Sequence, residues 1–327
     1  MFNIYTSGVT TTQLSELLNK ATSILKLKAI STPRLDAEVL LAHCLGMDRA
    51  GLYARSHMEP EAATLEKYLS LVERRGHGEP VAYLTGVREF MGLEFNVTPA
   101  VLIPRPETEL LVETALGIIE NATRGRFPVS HIPTGISQPV IVDVGTGSGA
   151  IAVSLASRLP GAKIYAVDIS PEALAVARIN AERHGVTDRM DLFCGDLLAP
   201  LPGKLTGGVD LIAANLPYIP SGDMDGLMPD VARFEPHTAL DGGEDGLQFY
   251  RRLIPLAENF LRPGGALLME IAPGQAVKLA NMVRQGDGSL CRTCLKCDTE
   301  PSPCRTWQTE IYYDFAGRER LVVALLI

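Results

Sequence analysis

The chain is poor in cysteine, with 6 in 327 residues, too few for a disulfide framework at this length. It has 6 histidines, and they are scattered, none at metal-ligand spacing. No apolar run approaches the roughly 18 residues of a membrane helix. The longest late run, Leu321 to Ile327, reads as a closing strand. The opening MFNIYTSGVTTTQ has neither the basic n-region nor the apolar h-region of a secretory signal, so a cytoplasmic protein off the membrane is expected. A basic excess is missing too. The net charge is −8, whereas a dedicated nucleic-acid binder carries a basic surface, so direct nucleic-acid binding is not expected. What is present is the composition of an ordinary soluble protein, 46% apolar and 21% charged, with length for about two domains.

Residues 1–88 read as a small helical bundle. Thr11 to Leu27 carries Leu14, Leu17, Leu18, Ala21, Ile24 and Leu25 at helical spacing. Leu35 to Leu45 follows, with Leu35, Val39, Leu40 and Cys44 expected inward and Gly46 as a stop. A third helix, with Ala63, Leu65, Leu69 and Val72 apolar, ends near Gly76. The bundle holds 10 basic and 9 acidic residues, so it reads equally as a packing or dimerisation module or as a substrate-docking domain. Residues 89–98 read as a β-hairpin linker, from Phe90, Leu93, Phe95 and Val97 around a glycine. Pro99, Pro104 and Pro106 then forbid a helix until Thr108 to Glu120. Residues 121–138 are a polar insert.

From Pro139 strands and helices alternate. Strands are expected at Val140–Val144, Lys163–Val167, Met190–Phe193, Val209–Ala214 and Gly265–Ile271, with helices at Ser148–Arg158 and Pro171–His184. Such alternation indicates a doubly wound α/β sheet. Thr309–Asp314 and Arg320–Leu326 suggest an antiparallel closing hairpin. Cys44 and Cys194, alone in apolar surroundings, read as core residues.

Two motifs carry chemistry. In the first, a strand runs through Asp143 into Gly145-Thr146-Gly147-Ser148-Gly149, then into a helix, and Asp168 ends the next strand. Ligands of open α/β sheets sit at strand carboxyl ends, and an acidic residue there suits ribose hydroxyls. The glycine spacing departs from the dinucleotide fingerprint and suits a nucleoside without pyrophosphate, such as S-adenosyl-L-methionine. Ser170 and Pro171 already read as the cap and first turn of the following helix, which leaves Asp168 for the ligand. Asp143 either orders the loop amides or is purely structural. Asp196 is placed to reach the adenine amine, or is a simple turn residue, and Leu197 to pack on the ring. The second motif is Asn215-Leu216-Pro217-Tyr218. A planar amide or ring-bound NH2 has a delocalised lone pair. Two acceptors, the Asn215 oxygen and a backbone carbonyl, would orient its nitrogen, and Tyr218 would support the planar group. Pro217 holds residue 216 extended.

With these residues the chain resembles the HemK/PrmC family, protein-glutamine methyltransferases acting on peptide chain release factors. The resemblance runs through Gly78–Gly86, Glu89–Phe95, Val101–Glu109, Asp143–Gly149, Asn215–Tyr218, Phe234–Gly246, Leu261–Gly265, Glu270–Gln275 and Asp314–Arg320. It implies a five-helix-like domain (1–88), the hairpin linker (89–98) and a Rossmann-like class I methyltransferase domain (99–327). It also implies methylation of the glutamine amide in a Gly-Gly-Gln motif, hence a role in translation termination. Carried over, Gly145 to Gly149, Asp168 and Leu197 bind the cofactor. Asn215 and the Leu216 carbonyl hold the amide, Tyr218 packs against it, and Arg105 and Glu107 border the site. A monomer is expected. No metal is expected in the site.

The chain departs from the family twice. Leu216 stands where the family has the first proline of Asn-Pro-Pro-Tyr, which should loosen the loop without abolishing function. Between Gln275 and Asp314 a long gap holds Cys291, Cys294, Cys297 and Cys304, either a zinc-binding set or an irregular surface insert. Four rival readings share parts of this pattern. Methylation of a ribosomal-protein glutamine would use the same site. A DNA adenine methyltransferase would need a basic DNA-reading module. A non-catalytic cofactor-binding module has no use for the intact Asn215–Tyr218 loop, and the glycine spacing speaks against a nicotinamide dehydrogenase.

Overall fold

A computed structural model describes residues 13–124, 138–285 and 306–327. The four-cysteine segment, the start of the first helix at Thr11 and most of the 121–138 insert lie outside these. Two compact units result. One runs to Gly86 and takes in Met228–Phe234; the other comprises Val87–Leu227 and Glu235–Ile327.

The first unit contains helices Leu14–Leu27, Pro33–Leu45, Arg49–Ala54, Ala62–Gly76 and Val81–Thr85. Two of them, Arg49–Ala54 and Val81–Thr85, are too short to leave a periodic signal. Leu14, Leu18, Leu25, Leu40, Leu41 and Tyr68 fill its core. The second helix keeps only Leu40 of its expected stripe fully buried. Leu35 is 42% exposed, Val39 and Cys44 are half-buried, and Asp36 and Glu38 point inward instead. Both are paired there, Asp36 with Arg75 at 2.7 Å and Glu38 with Arg34 and Arg49, so each buried carboxylate has its counter-charge. Ala63 of the fourth helix is exposed as well, and Tyr68, Leu71 and Val72 form its buried stripe.

The second unit begins with strands β1 (Val87–Phe90) and β2 (Leu93–Asn96), an antiparallel hairpin that turns at Met91 and Gly92, both at positive φ. Its main sheet comprises β3 (Val140–Val144), β4 (Lys163–Asp168), β5 (Met190–Cys194), β6 (Val209–Ala214), β7 (Leu261–Glu270), β8 (Trp307–Tyr313) and β9 (Glu319–Leu326). The order is β5-β4-β3-β6-β7-β9-β8; the pairings from β5 to β7 are parallel, and those of β9 with β7 and with β8 are antiparallel. The sheet is apolar on both faces, as a buried parallel sheet must be. Ile141, Ile164 and Leu211 pack on one side, and Val142, Tyr165 and Ile212 on the other. The chain leaves β3 in one direction, towards β4 and β5, and returns on its other side as β6. The ligand crevice of such a sheet lies at this switch, beyond the strand carboxyl ends.

Several boundaries differ from expectation. The helix after the glycine loop starts at Ala150, two residues late, because Gly149 caps it at φ 79°. β7 starts at Leu261, four residues early, and pairs with β6 through an irregularity between Val209 and Leu211 that accommodates Pro263. The helix from Glu109 runs to Arg124 behind a short 3-10 turn, Pro106–Thr108. Cys194 is exposed, since it ends β5 at the carboxyl edge of the sheet. The helices Gln248–Phe260 and Ala276–Gln285 carry no expectation above.

Candidate active site

A cavity of about 690 Å³ opens beyond the carboxyl ends of β3, β4 and β6. Its size suits a small organic ligand. Of the residues expected to bind cofactor or substrate, Gly145, Thr146, Gly147, Ser148, Asp168, Asp196, Leu197, Asn215, Leu216 and Pro217 line it. Gly149 and Tyr218 do not. Gly149 sits behind the loop as a helix cap, where an added Cβ would come 3.2 Å from Ala177. Arg105 also lines the cavity, and Glu107 lies outside its lining.

The glycine loop is held by its own amides. The Gly145 and Thr146 N–H groups donate to the Val167 carbonyl at 2.8 and 3.0 Å, and the Gly147 N–H donates to Asp168 Oδ2 at 2.8 Å. Asp168 Oδ1 accepts from the Ser170 N–H at 2.9 Å. Asp168 therefore ties the loop as well as facing the cavity. Burial pushes its carboxyl up, against the bonds from these amides. Asp143 is fully buried beneath the loop, and its Oδ2 accepts from the Thr146 hydroxyl at 2.7 Å and the Ala152 N–H at 3.2 Å. It ties the loop to the following helix through the Thr146 hydroxyl and the Ala152 N–H, and not through the loop amides, which donate to Val167 and Asp168. Asp196 is half exposed and pairs with Arg252. Leu197, 6% exposed, adopts φ 50°, a strained conformation for a branched side chain at the cavity wall.

The Asn215 loop is clamped from several sides. Asn215 Nδ2 donates to Thr108 Oγ1 at 3.1 Å. Leu216 is buried against Gly145, and its N–H donates to the Tyr250 hydroxyl at 3.4 Å, a bond that proline could not make. The expected loosening at Leu216 is thus countered by a partner for the extra N–H. The Tyr218 hydroxyl donates to Glu270 Oε1 at 3.2 Å, and the Tyr218 carbonyl accepts from Gln275 Nε2 at 2.9 Å. Gly242 and Gly246 lie directly under the loop backbone; a Cβ at Gly246 would come 2.2 Å from the Tyr218 carbonyl oxygen. Burial pushes the Tyr218 phenol well up. Arg105 pairs with Glu235, whose Oε2 also accepts the Ile103 N–H at 3.2 Å, and this fixes the proline-rich segment along the cavity.

Sequence reasoning assigned no role to Thr108, Glu270, Tyr250, Gly242, Gly246 or Gln275. They stand in quoted segments or near them, but only their tertiary partners reveal what they do.

Two buried carboxyls give the unit an unusual pH response. Burial raises Asp143 from 3.8 to about 7, against its bonds from Thr146 and Ala152. Burial also raises Glu270 from 4.5 to about 7, against hydrogen bonds from Thr108 and Tyr218 and the charge of Arg320. Each holds its proton more tightly folded than unfolded. Their stability contribution is full below the unfolded values and is lost as pH rises through about 7. Urea unfolding should show stability falling from about pH 4 to 7, by a few kcal/mol with both groups acting. The slope should be shallower in Glu270→Gln. A stability that rises over this window would contradict the assignment.

Comparison with known proteins agrees with this geometry. The PrmC N-terminal domain family matches residues 16–86, and the Methyltransferase domain family matches residues 137–316. The Release factor glutamine methyltransferase of Geobacter sulfurreducens is 44% identical over 255 residues, 78% of this chain and 82% of its own length. That of Moorella thermoacetica is 46% identical over 267 residues, covering 81% and 88%. That of Nitratidesulfovibrio vulgaris is 39% identical over 313 residues, covering 95% and 94%. With an N-terminal and a methyltransferase family both matched, and relatives this similar over most of its length, the chain belongs to the release factor glutamine methyltransferase family.

Proposed function

We propose that the protein transfers a methyl group from S-adenosylmethionine to the side-chain amide nitrogen of the glutamine in the Gly-Gly-Gln motif of peptide chain release factors. The observation that carries this is the joining of two halves in one cavity: a glycine loop with Asp168, and the Asn215–Pro217 segment. The lining fits the cofactor. Its carboxylates, Asp168, Asp196, Asp241 and Glu244, disfavour a pyrophosphate and favour a ligand bearing a cation. Arg105, the guanidinium in that lining, is already paired with Glu235.

When bound, S-adenosylmethionine supplies an electrophilic methyl carbon on a sulfonium that leaves as a neutral thioether. The residues of the chain do the positioning. Asp168 accepts the ribose hydroxyls, and Leu197 lines the adenine pocket with Asp196 at its edge. The Asn215 side-chain oxygen and the Leu216 carbonyl each accept one hydrogen of the glutamine NH2. Held this way, the nitrogen faces the methyl group, and both acceptors favour the positive charge that develops on it. Orientation of this kind can contribute roughly 7–11 kcal/mol to the barrier reduction. Pro217 keeps the Leu216 carbonyl in place. Tyr218, rooted on Glu270 and Gln275, backs the loop from outside the cavity lining, and this replaces direct stacking as its main contribution. No helix among the described residues is long and apolar enough to cross a membrane. From the release-factor substrate, we infer that the enzyme acts in the cytoplasm.

The deciding experiment measures label from methyl-labelled S-adenosylmethionine on an intact release factor, on its Gly-Gly-Ala variant and on a DNA duplex. Label on the intact factor alone is the expected result; label on the duplex, or equal label on the variant, contradicts the reading. Calorimetry tests the cofactor half separately. Asp168→Ala should weaken S-adenosylmethionine binding by about 10- to 100-fold, through lost ribose bonds and a released glycine loop. Unchanged affinity would remove Asp168 from the site.

A further inference from the structure

The turn between β8 and β9, Asp314 to Arg318, projects from the same edge of the sheet as the cavity. β7 runs parallel to β6, and β9 starts where β7 ends, with Leu321 opposite Glu270 and the Ile271 N–H donating to the Arg320 carbonyl at 2.9 Å. The turn therefore lies beyond the strand carboxyl ends, as does the Asn215 loop that follows β6. At its tip Phe315 is 112% exposed, more than any other large apolar side chain among the described residues, and Tyr313 just before it is 53% exposed.

A stray apolar residue on a loose loop would need no account. This tip is not loose. Asp314 Oδ1 accepts from the N–H groups of Ala316 and Arg318, each at 2.9 Å, and Oδ2 accepts from Arg318 Nε at 2.8 Å and Arg320 Nε at 3.0 Å. The Gly317 N–H donates to the Asp314 carbonyl at 2.8 Å, and Gly317 takes the φ of 72° that closes the turn. One carboxylate thus gathers four donors while Phe315 faces water. The same Arg320 reaches Glu107 at 3.8 Å, and Glu107 stands between Arg105 and Thr108 of the cavity lining. Contacts therefore run from the tip to the cavity wall. A phenylalanine held out in this way loses little conformational entropy when a partner buries it, and exposed aromatics are enriched where proteins meet.

We propose that the β8–β9 tip, anchored by Phe315, is a docking surface for the release factor, gripping that protein beside the segment that carries Gly-Gly-Gln. The proposal rests on the methyl-transfer reading above. A glutamine side chain is short, so delivering its amide to the cavity brings its backbone to the mouth and lays the folded factor over the surrounding rim. An apolar tip fixed on that rim falls under such a substrate. A free amino acid in the cavity would leave it in water.

The test uses the full chain as wild type and as Phe315→Ser, Phe315→Leu and Ile179→Ser, the last at a 50% exposed position on the helix Pro171–Arg183. The readouts are Kd for an intact release factor with S-adenosylhomocysteine present, kcat and KM for its methylation, Kd for S-adenosylmethionine, and Tm. Phe315→Ser should raise Kd and KM for the factor by about 10- to 100-fold, the worth of burying a phenylalanine, with kcat, cofactor affinity and Tm near wild type. Phe315→Leu should keep most of the affinity, and Ile179→Ser all of it. A photo-crosslinking benzoylphenylalanine in place of Phe315 should attach to residues of the factor that flank Gly-Gly-Gln in its fold. Unchanged Kd and KM in Phe315→Ser, an equal loss in Ile179→Ser, or crosslinks confined to a distant part of the factor would overturn the proposal. So would crosslinks to a second copy of this chain, with a dimer that Phe315→Ser abolishes. A wild-type chain that binds and methylates the factor, matched by Phe315→Ser, sinks the docking surface alone. A wild-type chain that neither binds nor methylates it sinks the methyl-transfer reading, and the docking surface with it.

Discussion

Asn215→Ala should reduce methyl transfer by about 10²–10³-fold, the usual loss when a preorganised polar group at the reacting centre is removed. Cofactor affinity should hardly change. Asn215 lines the cavity, but the ties of the glycine loop run through Val167, Asp168 and Asp143, not through Asn215. Truncation also leaves the Thr108 hydroxyl without its donor, a minor cost beside the lost acceptor. Parallel calorimetry and turnover separate the two effects. Equal loss of binding and turnover would mean that Asn215 supports the cavity as a whole and has no special place at the amide.

Gly246→Ala should be nearly as damaging, although residue 246 carries no chemistry. The residue sits at φ 74°, where an L side chain costs roughly 1–2 kcal/mol. Its Cβ would lie 2.2 Å from the Tyr218 carbonyl oxygen and 2.4 Å from Gln275 Nε2. Backbone cannot yield as a side-chain tip can. The Asn215–Tyr218 segment must shift, and a displacement of about 1 Å at a reacting centre costs on the order of 10²-fold in rate. Strain and the lost Gln275 bond together should cost about 2–4 kcal/mol, lowering Tm by roughly 2–4 °C for each kcal/mol. Gly117→Ala is the control. It lies inside a helix with open space where its Cβ would go, and should be neutral or slightly stabilising. A Gly246→Ala enzyme with wild-type rate and Tm would show that the loop does not need the close backbone approach.

Much of this site was legible in the sequence because its parts are local. β3, the glycine loop and Asp168 lie within one strand–turn–helix–strand unit, and fully apolar strands bounded by glycine declare themselves without tertiary information. The Asn215–Pro217 segment was legible for the same reason, as the continuation of β6. What escaped was non-local or locally contradictory. Thr108 meets Asn215 across 107 positions, and Glu270 meets Tyr218 across 52. No spacing rule reaches that far. The helix Gln248–Phe260 contains Pro255, an interior residue that local rules treat as a breaker, yet Tyr250, Leu253, Ile254 and Ala257 keep its buried face continuous. In the Pro33–Leu45 helix, periodicity placed Leu40 inward as found but missed the inward Asp36 and Glu38, because both are neutralised partners in the interior. Cys194 misled in the opposite direction. Its neighbours are apolar, but it is the last residue of a strand at the open edge of the sheet.

The central claim, that these residues place a glutamine amide before a methyl group, is tested most directly by locating the transferred methyl. An intact release factor would be treated with the enzyme and S-adenosylmethionine, then digested and fragmented in a mass spectrometer. The account predicts one added methyl, on the glutamine of Gly-Gly-Gln, with the mass carried by the side-chain amide and absent when Asn215→Ala enzyme is used. A methyl on any other residue, or on the same glutamine at an undiminished rate with the Asn215→Ala enzyme, would contradict it.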